Sequence, residues 1–211
     1  MNTSYNVGDS ERNVTTNRQL FLNVLGVAEH RLAVPQQRHT AIVKKVSAEG
    51  TYEQCDALVT NVPKVFLSMS VADCAPAFLF DMNKKVVGCV HAGWRGTEQR
   101  ILQKTLLRMQ EEFGSAPEEI YAFIGPSAGQ CCYEVGEEVA RKFDAEFVLR
   151  RSGTNYLDIK RANVEQLRAV GVPGPNIEVH ADCTICNLEH YHSYRRDREK
   201  SGRMMGILGL N

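Results

Sequence analysis

Residues 91–96, with the sequence His-Ala-Gly-Trp-Arg-Gly, combine several kinds of chemistry in one short stretch. The apolar run at 86–90 before them predicts a buried strand, and the amphipathic pattern from Thr97 to Gly114 predicts a helix with Thr97 as its N-cap. The stretch is therefore predicted to be a strand-to-helix turn. Free backbone N–H groups and the helix dipole favour an anion at such a turn.

The side chains of this turn suit anion binding and chemistry at a strand end. Arg95 offers a planar fork that matches phosphate or carboxylate, while Gly93 and Gly96 would let the backbone approach a ligand closely. His91 lies at the strand end, where functional residues are often found. The alternative is a structural turn with a surface arginine and a core tryptophan, which six residues alone do not exclude.

Two other reactive side chains are predicted to come near His91. Cys74 follows the strand-like run 65–71 and precedes another at 77–80, and a turn then leads to the strand that carries His91. This order places Cys74 and His91 on adjacent segments of one sheet. The third candidate is His39, which lies just before a further strand-like segment.

The composition excludes several classes of protein. The 25 basic and 25 acidic side chains give no net charge, so a nucleic-acid partner is not expected. No apolar run reaches membrane-spanning length, and the first residues lack the basic and apolar regions of a signal peptide. With 211 residues the chain is predicted to form one domain, 1–211, and we expect a monomer.

The seven cysteines are interpreted as free thiols in a reducing cytosol. Their odd number, the absence of an export signal and the apolar surroundings of two of them argue against a disulfide scaffold. Cys183 and Cys186 resemble half of a zinc knuckle, but no second pair completes it, so a structural role is favoured. The adjacent Cys131 and Cys132 are interpreted as core or wall residues.

Hydrophobic periodicity predicts an α+β fold in which mixed β-sheets are flanked by helices. Besides the helix from Thr97, helices are predicted at Thr16–Leu25, Glu134–Phe147 and Asp158–Val170, with Gly171 as the stop of the last. Strands are predicted at Ala41–Val46, Val65–Val71, Ala77–Phe80, Val86–Val90, Ile120–Ile124, Ile177–His180 and Met204–Leu208. Because strands outnumber helices and short turns join many neighbours, a doubly wound parallel sheet is not expected.

Several short motifs occur in an order that resembles one known family. They are Gln37-Arg38-His39, Asp56-Ala57-Leu58-Val59-Thr60, Ala72-Asp73-Cys74-Ala75-Pro76, the stretch 91–96, Cys132-Tyr133-Glu134-Val135-Gly136, Asp182-Cys183-Thr184, Ser193-Tyr194-Arg195-Arg196-Asp197 and Gly202-Arg203-Met204. With these motifs the chain resembles, nearly end to end, the YfiH-like proteins. That family carries the label of laccase-domain or multicopper polyphenol oxidases and is viewed as one of purine nucleoside phosphorylases.

The resemblance implies a compact α+β domain of two sheets flanked by helices, a fold related to that of the cytotoxic necrotizing factor toxins. It also implies a zinc ion bound by His39, Cys74 and His91, the residues that match the family's ligands. Three such ligands leave a fourth position open, which is typical of catalytic zinc. Copper could occupy the same residues in vitro.

The activity implied by the resemblance is phosphorolysis of purine nucleosides. Adenosine, inosine, guanosine and methylthioadenosine would react with phosphate to give the free base and ribose 1-phosphate. Adenosine would also be deaminated to inosine. On this basis the partners are purine nucleosides and phosphate, and Arg95, Gly93 and Gly96 are the candidates for binding the phosphate.

Three parts of the sequence keep more than one interpretation. Asp73 is a candidate substrate-binding residue or an acceptor that orients an imidazole, and it could equally cap a turn. Glu134 and Asp73 are the candidates for the acid/base residue that deamination requires. Residues 195–197, Arg-Arg-Asp, either line the rim of the cleft or form a salt-bridged surface.

Other classes of function stay open. A thiol hydrolase or amidase would use Cys74 as nucleophile and His91 as base, and it would suit quality control of cell-wall peptide precursors, to which some relatives are linked. A non-enzymatic metal or ligand binder is the third class. A polyphenol oxidase is disfavoured, because a multicopper enzyme needs roughly ten histidines. This chain has six, with one His-x-His pair at 190–192.

Overall fold

The computed structural model, which describes residues 1–211, contains thirteen strands and six α-helices. The strands are β1 (Leu32–Pro35), β2 (Val43–Lys45), β3 (Gly50–Tyr52), β4 (Ala57–Thr60), β5 (Phe66–Val71), β6 (Ala75–Asp81), β7 (Val86–Ala92), β8 (Ile120–Ile124), β9 (Glu134–Val135), β10 (Val148–Arg151), β11 (Thr154–Leu157), β12 (Ile177–Val179) and β13 (Met204–Gly209). The helices are α1 (Glu11–Leu25), α2 (Trp94–Glu98), α3 (Ile101–Phe113), α4 (Glu137–Ala140), α5 (Ile159–Val170) and α6 (Tyr194–Asp197). No helix combines the length and the apolar character that a membrane crossing requires.

The strands form three sheets. The largest has the order β12-β8-β6-β7-β4-β2, in which the four central strands are antiparallel and each outer strand is parallel to its neighbour. The second, β13-β5-β1-β3, has two parallel pairs and one antiparallel pair. The third, β10-β11-β9, is antiparallel throughout. The predicted α+β fold with mixed sheets and flanking helices is confirmed.

Alternating side chains in β4 and β7 show how the layers stack. Val59 and Val90 face an apolar cluster that includes Leu102 of α3, whereas Leu58 faces a second cluster that includes Leu67 of β5. Because successive side chains of a strand point to opposite faces, the six-stranded sheet lies between the helices α3 and α5 and the four-stranded sheet. Helix α1 packs on the outer surface of the four-stranded sheet. The central strands are thus buried on both faces, which explains their continuous apolar sequence.

Capping residues determine the ends of two of the three long helices, α1 and α5. Helix α5 has Asp158 as its N-cap and ends at Gly171, so the prediction for this segment is confirmed. Helix α1 ends as predicted at Leu25, but it begins at Glu11 rather than Thr16, because the Ser10 hydroxyl accepts a hydrogen bond from the backbone of Asn13.

The segment after the 91–96 stretch forms two helices instead of one. Thr97 is not an N-cap: it lies buried inside α2, where its hydroxyl accepts a hydrogen bond of 3.0 Å from Asn163. The break falls at Arg100, whose φ of 61° is left-handed. Side chains of α5 satisfy the backbone there, since Gln166 donates to the Thr97 carbonyl and accepts from the Leu102 amide.

The predicted helix Glu134–Phe147 is wrong. This segment holds the short strand β9, the one-turn helix α4 and a 3₁₀ turn, and its apolar residues form a separate cluster with Leu157 and Ile159. Gly136 sits between β9 and α4 with an extended backbone and interrupts any longer helix. Among the strands, the prediction Ile120–Ile124 matches β8, and the other six overlap strands of the structure with ends that differ by one or two residues.

Candidate active site

His39, Cys74 and His91 lie together at one end of the six-stranded sheet. Strands β6 and β7 pair with Pro76 opposite His91, which brings the preceding Cys74 beside that histidine. The Cys74 Sγ atom is 3.8 Å from His39 Nε2, and the potential ligand atoms of all three residues lie within 4.8 Å of one another. His91 is buried, Cys74 half-buried and His39 exposed. This Cys/His cluster therefore opens to solvent on the His39 side.

A single buried carboxylate, that of Asp56, positions both histidines. Its Oδ1 atom accepts hydrogen bonds from the His91 Nδ1 atom at 2.8 Å and from the His39 amide at 3.0 Å. Its Oδ2 atom accepts from the amides of Arg38 and Thr40 and from the Thr40 hydroxyl. Asp56 directly precedes the buried strand β4 and is itself fully buried. It therefore fixes the loop that carries His39 relative to the strand that carries His91.

The loop before β2 is also attached to the second sheet. The side-chain amide of Gln37 donates through Nε2 to the Ser70 carbonyl at 2.8 Å, and its Oε1 atom accepts from the Ser70 backbone amide at 2.9 Å, so the side chain pairs with β5 as a strand would. His39 itself has a φ of 58°, an uncommon conformation for a residue other than glycine. Its backbone is thus held by neighbours on both sides, from Asp56 and through Gln37.

The charges of the cluster depend on one another. Burial would raise the pKa of Asp56, but hydrogen bonds from His91 and Thr40 lower that pKa to about 2. Burial would also raise the pKa of the Cys74 thiol, yet the charge of His91 and the hydrogen bond to His39 lower it to about 6. For His91, burial is outweighed by the charge of Cys74 and the bond to Asp56, and its pKa rises to about 9. Without a metal, Cys74 and His91 therefore form a thiolate–imidazolium pair near neutral pH.

The geometry also fixes which nitrogen of His91 faces the cluster. An ionised Asp56 carboxylate can only accept a hydrogen bond, so the Nδ1 atom of His91 must carry the proton that it shares. When His91 is neutral, its lone pair is then on Nε2. A carboxylate behind a histidine in this way is the usual arrangement of histidines that bind metals.

The three residues fit the zinc ion that the family resemblance implies. Cys74 is stabilised as a thiolate, His91 is held in one tautomer, and the exposed His39 leaves one side of the cluster free. One thiolate and two imidazoles with an open fourth position are a known donor set of catalytic zinc. The donor chemistry and the spacing of the cluster are therefore compatible with zinc.

The glycines of the 91–96 stretch accommodate protein atoms. A side chain at Gly93 would place its Cβ atom 3.0 Å from both Cys74 Sγ and a ring carbon of His39. At Gly96 the Cβ atom would lie 3.0 Å from the Thr40 carbonyl oxygen. Their small size therefore lets the strand ends and loops of the cluster come together, and the binding of phosphate by Gly93 and Gly96 stays a prediction.

Asp73 does not contact either imidazole, so its expected role as the acceptor that orients a histidine is wrong. Its carboxylate accepts hydrogen bonds from the Thr184 hydroxyl at 2.7 Å, the Ser193 hydroxyl at 3.0 Å and the Arg195 amide at 2.6 Å. Asp73 has a φ of 83° and is buried. It attaches the turn that carries Cys74 to two segments more than a hundred residues later in the chain, with separations of 111, 120 and 122 residues.

Two guanidinium groups without a carboxylate partner lie around the buried Tyr133. Arg195 stands 5.6 Å from the centre of its ring, and Arg95 is stacked at 4.2 Å on the ring of Trp94. Burial raises the pKa of Tyr133, the charge of Cys74 raises it further, and the charges of Arg195 and Arg95 oppose the shift. The charges of both arginines therefore act on Tyr133, and neither arginine forms a salt bridge.

The Arg-Arg-Asp segment contains one free arginine and one structural arginine. Arg196 forms a bidentate ion pair with Asp197, with N–O distances of 2.8 and 2.7 Å. It also donates to the carbonyls of Thr184, Ile185 and Tyr191. The guanidinium of Arg195 makes none of these contacts and stands 5.6 Å from the centre of the Tyr133 ring. Glu134 is exposed at the start of β9, and no hydrogen bond joins its side chain to the Cys/His cluster.

Comparison with known proteins decides the family. The model of the family described as multi-copper polyphenol oxidoreductase laccase matches residues 1–211. The chain belongs to this laccase family. A purine nucleoside phosphorylase from Deinococcus radiodurans is 40% identical over 206 residues, which cover 96% of this chain and 79% of that protein.

Two further members extend the comparison. The adenosine deaminase RL5, from an unknown prokaryotic organism, is 34% identical over 215 residues, which cover 93% of this chain and 82% of RL5. The crystal structure of YfiH from Bacillus licheniformis matches with a TM-score of 0.92 and 33% identity, covering 100% of this chain and 85% of that one. The predicted resemblance to YfiH-like proteins is confirmed.

Proposed function

We propose that this member of the laccase family is a zinc-dependent purine nucleoside phosphorylase that also deaminates adenosine. The observation that carries the proposal is the Cys/His cluster, which Asp56 orients from behind and which opens to solvent at His39. Relatives at 40% and 34% identity that are named purine nucleoside phosphorylase and adenosine deaminase support the choice of substrate. Adenosine, inosine, guanosine and methylthioadenosine are the proposed nucleosides.

The protein residues around the cluster would perform three tasks. His39, Cys74 and His91 would hold zinc, which supplies Lewis acidity when bound. Asp56 keeps the proton of His91 on Nδ1 and so keeps Nε2 available, while its other contacts hold the His39 loop. Because an ionised Asp56 can only accept, the Nδ1 proton of a neutral, metal-binding His91 points away from the substrate.

Phosphorolysis also requires a site for an anion. The reaction forms a bond between a phosphate oxygen and ribose C1′ and breaks the bond from C1′ to the purine nitrogen. Arg95 and Arg195 form no salt bridge, and their charges act on the same Tyr133 as the charge of Cys74, so both are proposed to hold phosphate. Guanidinium groups form bidentate hydrogen bonds with phosphate, so they would both neutralise its charge and orient it. This extends the proposed phosphate site from Arg95 to Arg195, which spacing in the sequence does not indicate.

Turnover of adenosine by the purified protein tests the proposal. Zinc-loaded protein is incubated with adenosine, with and without phosphate, and the products are separated by chromatography. We expect adenine and ribose 1-phosphate only when phosphate is present, and inosine under both conditions. Absence of all three products, with about one zinc bound at the Cys/His cluster, would exclude the proposed function.

The lowered pKa of Cys74 favours a second candidate, a thiol hydrolase or amidase. The Cys74 thiolate and the His91 imidazolium are the pair that such an enzyme uses, and the pKa of Cys74 near 6 is typical of a reactive cysteine. Zinc distinguishes the two functions, because bound zinc would occupy the nucleophile. Activity on amides that rises when zinc is removed would favour the hydrolase.

The ligand clusters do not favour polyphenol oxidation, despite the family's description. Only two of the six histidines, His39 and His91, belong to a group of possible metal ligands. The remaining four do not join either group, and a multicopper site requires many imidazoles. We therefore propose that copper, if added, binds the Cys/His cluster without forming an oxidase.

A further inference from the structure

Four cysteines outside the Cys/His cluster converge on one point. Cys131, Cys132, Cys183 and Cys186 have sulfur atoms that all lie within 4.8 Å of one another. The Cys186 sulfur is 3.1 Å from that of Cys132 and 3.4 Å from that of Cys131. We call these residues the four-cysteine cluster. The sequence separates its two halves by about fifty residues, so no local spacing reveals that Cys131 and Cys132 complete the pair Cys183-x-x-Cys186.

The backbone holds the two halves of this cluster side by side. Ser127 and Cys183 form a parallel bridge, and the Thr184 amide donates to the Ser127 carbonyl at 3.0 Å. The Gly129 amide donates to the Cys183 sulfur at 3.2 Å. A side chain at Gly129 would place its Cβ atom 3.0 Å from Cys183 Cβ and 3.3 Å from Cys131 Sγ. The turn thus depends on glycine to let the sulfur atoms approach one another.

We propose that the four-cysteine cluster binds a single Zn²⁺ ion in a closed structural site. A zinc–sulfur bond of about 2.3 Å gives a tetrahedron whose sulfur atoms are about 3.8 Å apart. Two of the separations here are 3.1 and 3.4 Å and all are within 4.8 Å, so small shifts would reach that value. Four thiolates leave no open position, in contrast to the Cys/His cluster. The compact spacing suits one ion better than an iron–sulfur cluster, in which bridging sulfides separate the ligands.

The surroundings of the four sulfur atoms support this assignment. An amide that donates to a sulfur atom, as Gly129 does to Cys183, stabilises a thiolate. The buried ammonium group of Lys160 donates to the carbonyls of His180 and Asp182 at 2.7 and 2.6 Å, immediately before Cys183 in the chain. It offsets part of the negative charge that four thiolates would leave around a divalent ion.

The proposed zinc would stabilise the candidate active site from a distance. Thr184 lies between Cys183 and Cys186, and its hydroxyl donates to Asp73, the residue before Cys74. The Ala128 amide, in the other half of the turn, donates to the Asp73 carbonyl at 2.9 Å. A zinc ion that locks residues 127–132 to 183–186 would therefore also fix the turn that carries Cys74. This positioning role does not depend on the nucleoside chemistry.

Metal analysis of matched variants tests the proposal. The full chain is expressed with zinc in the medium, purified anaerobically without chelator, and analysed for zinc by mass spectrometry. We expect about two zinc ions per chain in the original protein, about one in Cys74→Ala, about one in Cys186→Ser and none in the double variant. Cys55→Ser is the control with a full zinc content, because Cys55 is buried outside both clusters and serine keeps a donor to the Tyr52 carbonyl.

A second measurement needs no cysteine variant of the four-cysteine cluster, in case Cys186→Ser does not fold. In zinc-loaded Cys74→Ala, the four thiols should resist alkylation until a chelator is added, as located by peptide mass spectrometry. Three outcomes would overturn the proposal: alkylation of the four thiols with or without chelator, iron in place of zinc, or a disulfide from Cys186 to Cys131 or Cys132 in protein kept anaerobic.

Discussion

The Cys/His cluster and the four-cysteine cluster differ in what holds their ligands. In the first, a fully buried carboxylate on Asp56 contacts both histidine residues; β7 carries His91, and Cys74 directly precedes β6. In the second, the ligands lie on turns, and apart from contacts among the sulfur atoms themselves it is the backbone that holds them, through the Gly129 amide and the bridge from Ser127 to Cys183. The loops of the first cluster are held in place by Asp56 without metal, whereas we propose that in the second a metal adds to the backbone contacts between the two turns.

The two clusters also differ in the role that we propose for each, which is catalytic for the Cys/His cluster and structural for the four-cysteine cluster. The Cys/His cluster keeps an exposed side at His39, and its donors are two imidazoles and one thiolate. The four-cysteine cluster has four sulfur donors and is connected to the Cys74 turn by the hydrogen bond from Thr184 to Asp73. We expect metal loss to abolish activity at the first and to lower stability at the second. Four predictions test this contrast, from the largest expected effect to the smallest.

Replacing Cys74 by alanine should affect activity far more than stability. Loss of one of three zinc ligands should reduce phosphorolysis of adenosine by about a thousand-fold, because a metal Lewis acid contributes several kcal/mol to the transition state. The urea midpoint of the metal-free protein should change little, since Asp56 and not the metal holds the loops. Steady-state assays and urea titrations measure both quantities. A large loss of stability in metal-free Cys74→Ala would contradict the contrast between the clusters.

Zinc should stabilise the fold mainly through the four-cysteine cluster. In the Cys74→Ala chain, free zinc at about a thousand times its dissociation constant should raise the free energy of unfolding by about 4 kcal/mol. Adding Cys186→Ser should remove this zinc-dependent increase. Urea unfolding with zinc and with chelator gives the difference within each variant, so the direct effect of each substitution cancels. An unchanged increase in the double variant would place the stabilising zinc elsewhere.

Asp56→Asn should weaken the Cys/His cluster and leave the four-cysteine cluster intact. The asparagine side chain has one acceptor oxygen where the carboxylate has two, so His91 loses its fixed tautomer. We expect zinc affinity and activity to fall about 10–100-fold. Competition with a chromogenic chelator measures the affinity. Because the native pKa of Asp56 is about 2, below the usual 3.8, its contribution to stability is present above about pH 4 and lost as the pH falls towards 2. Acid unfolding of Asp56→Asn should lack this component.

Arg95→Ala and Arg195→Ala should affect phosphate binding and not the metal. Loss of one charge-assisted contact costs about 1.5 kcal/mol, so the phosphate KM should rise about tenfold. Deamination should change less, because it uses no phosphate. Arg12→Ala is the control, since Arg12 is an exposed arginine of α1, the helix that packs on the four-stranded sheet. An equal decrease of both reactions would show that these arginines bind the nucleoside or support the fold.

The sequence predicts those parts of the molecule whose signals are local. Asp158 and Gly171 delimit α5, and the apolar run at 120–124 gives β8 with its observed ends. The prediction of a helix at 134–147 is wrong because its apolar residues have helical spacing but pack into a separate small cluster. Gly136 also interrupts any longer helix there. Periodicity shows that a residue is buried and leaves open which partner it is buried against.

The candidate site divides in the same way. The resemblance identifies His39, Cys74 and His91, which the structure brings together. It does not identify the contacts of Asp56, although an acidic residue directly before a strand buried on both faces needs a partner and could have indicated one. The four-cysteine cluster could not be predicted, because it forms from two turns that only the tertiary fold brings into contact.

The bonds of Asp73 have a consequence for how the chain acquires its site during synthesis. The Asp73 carboxylate, which fixes the Cys74 turn, has no hydrogen-bond donors until Thr184, Ser193 and the Arg195 amide have been synthesised. These groups lie 111 to 122 residues further along the chain. Closing such long loops is slow relative to local structure. Residue 195 must therefore have emerged from the ribosome before the Cys74 turn takes its final shape. A stalled or shortened product that ends before this point would carry the ligands but lack the native placement of Cys74.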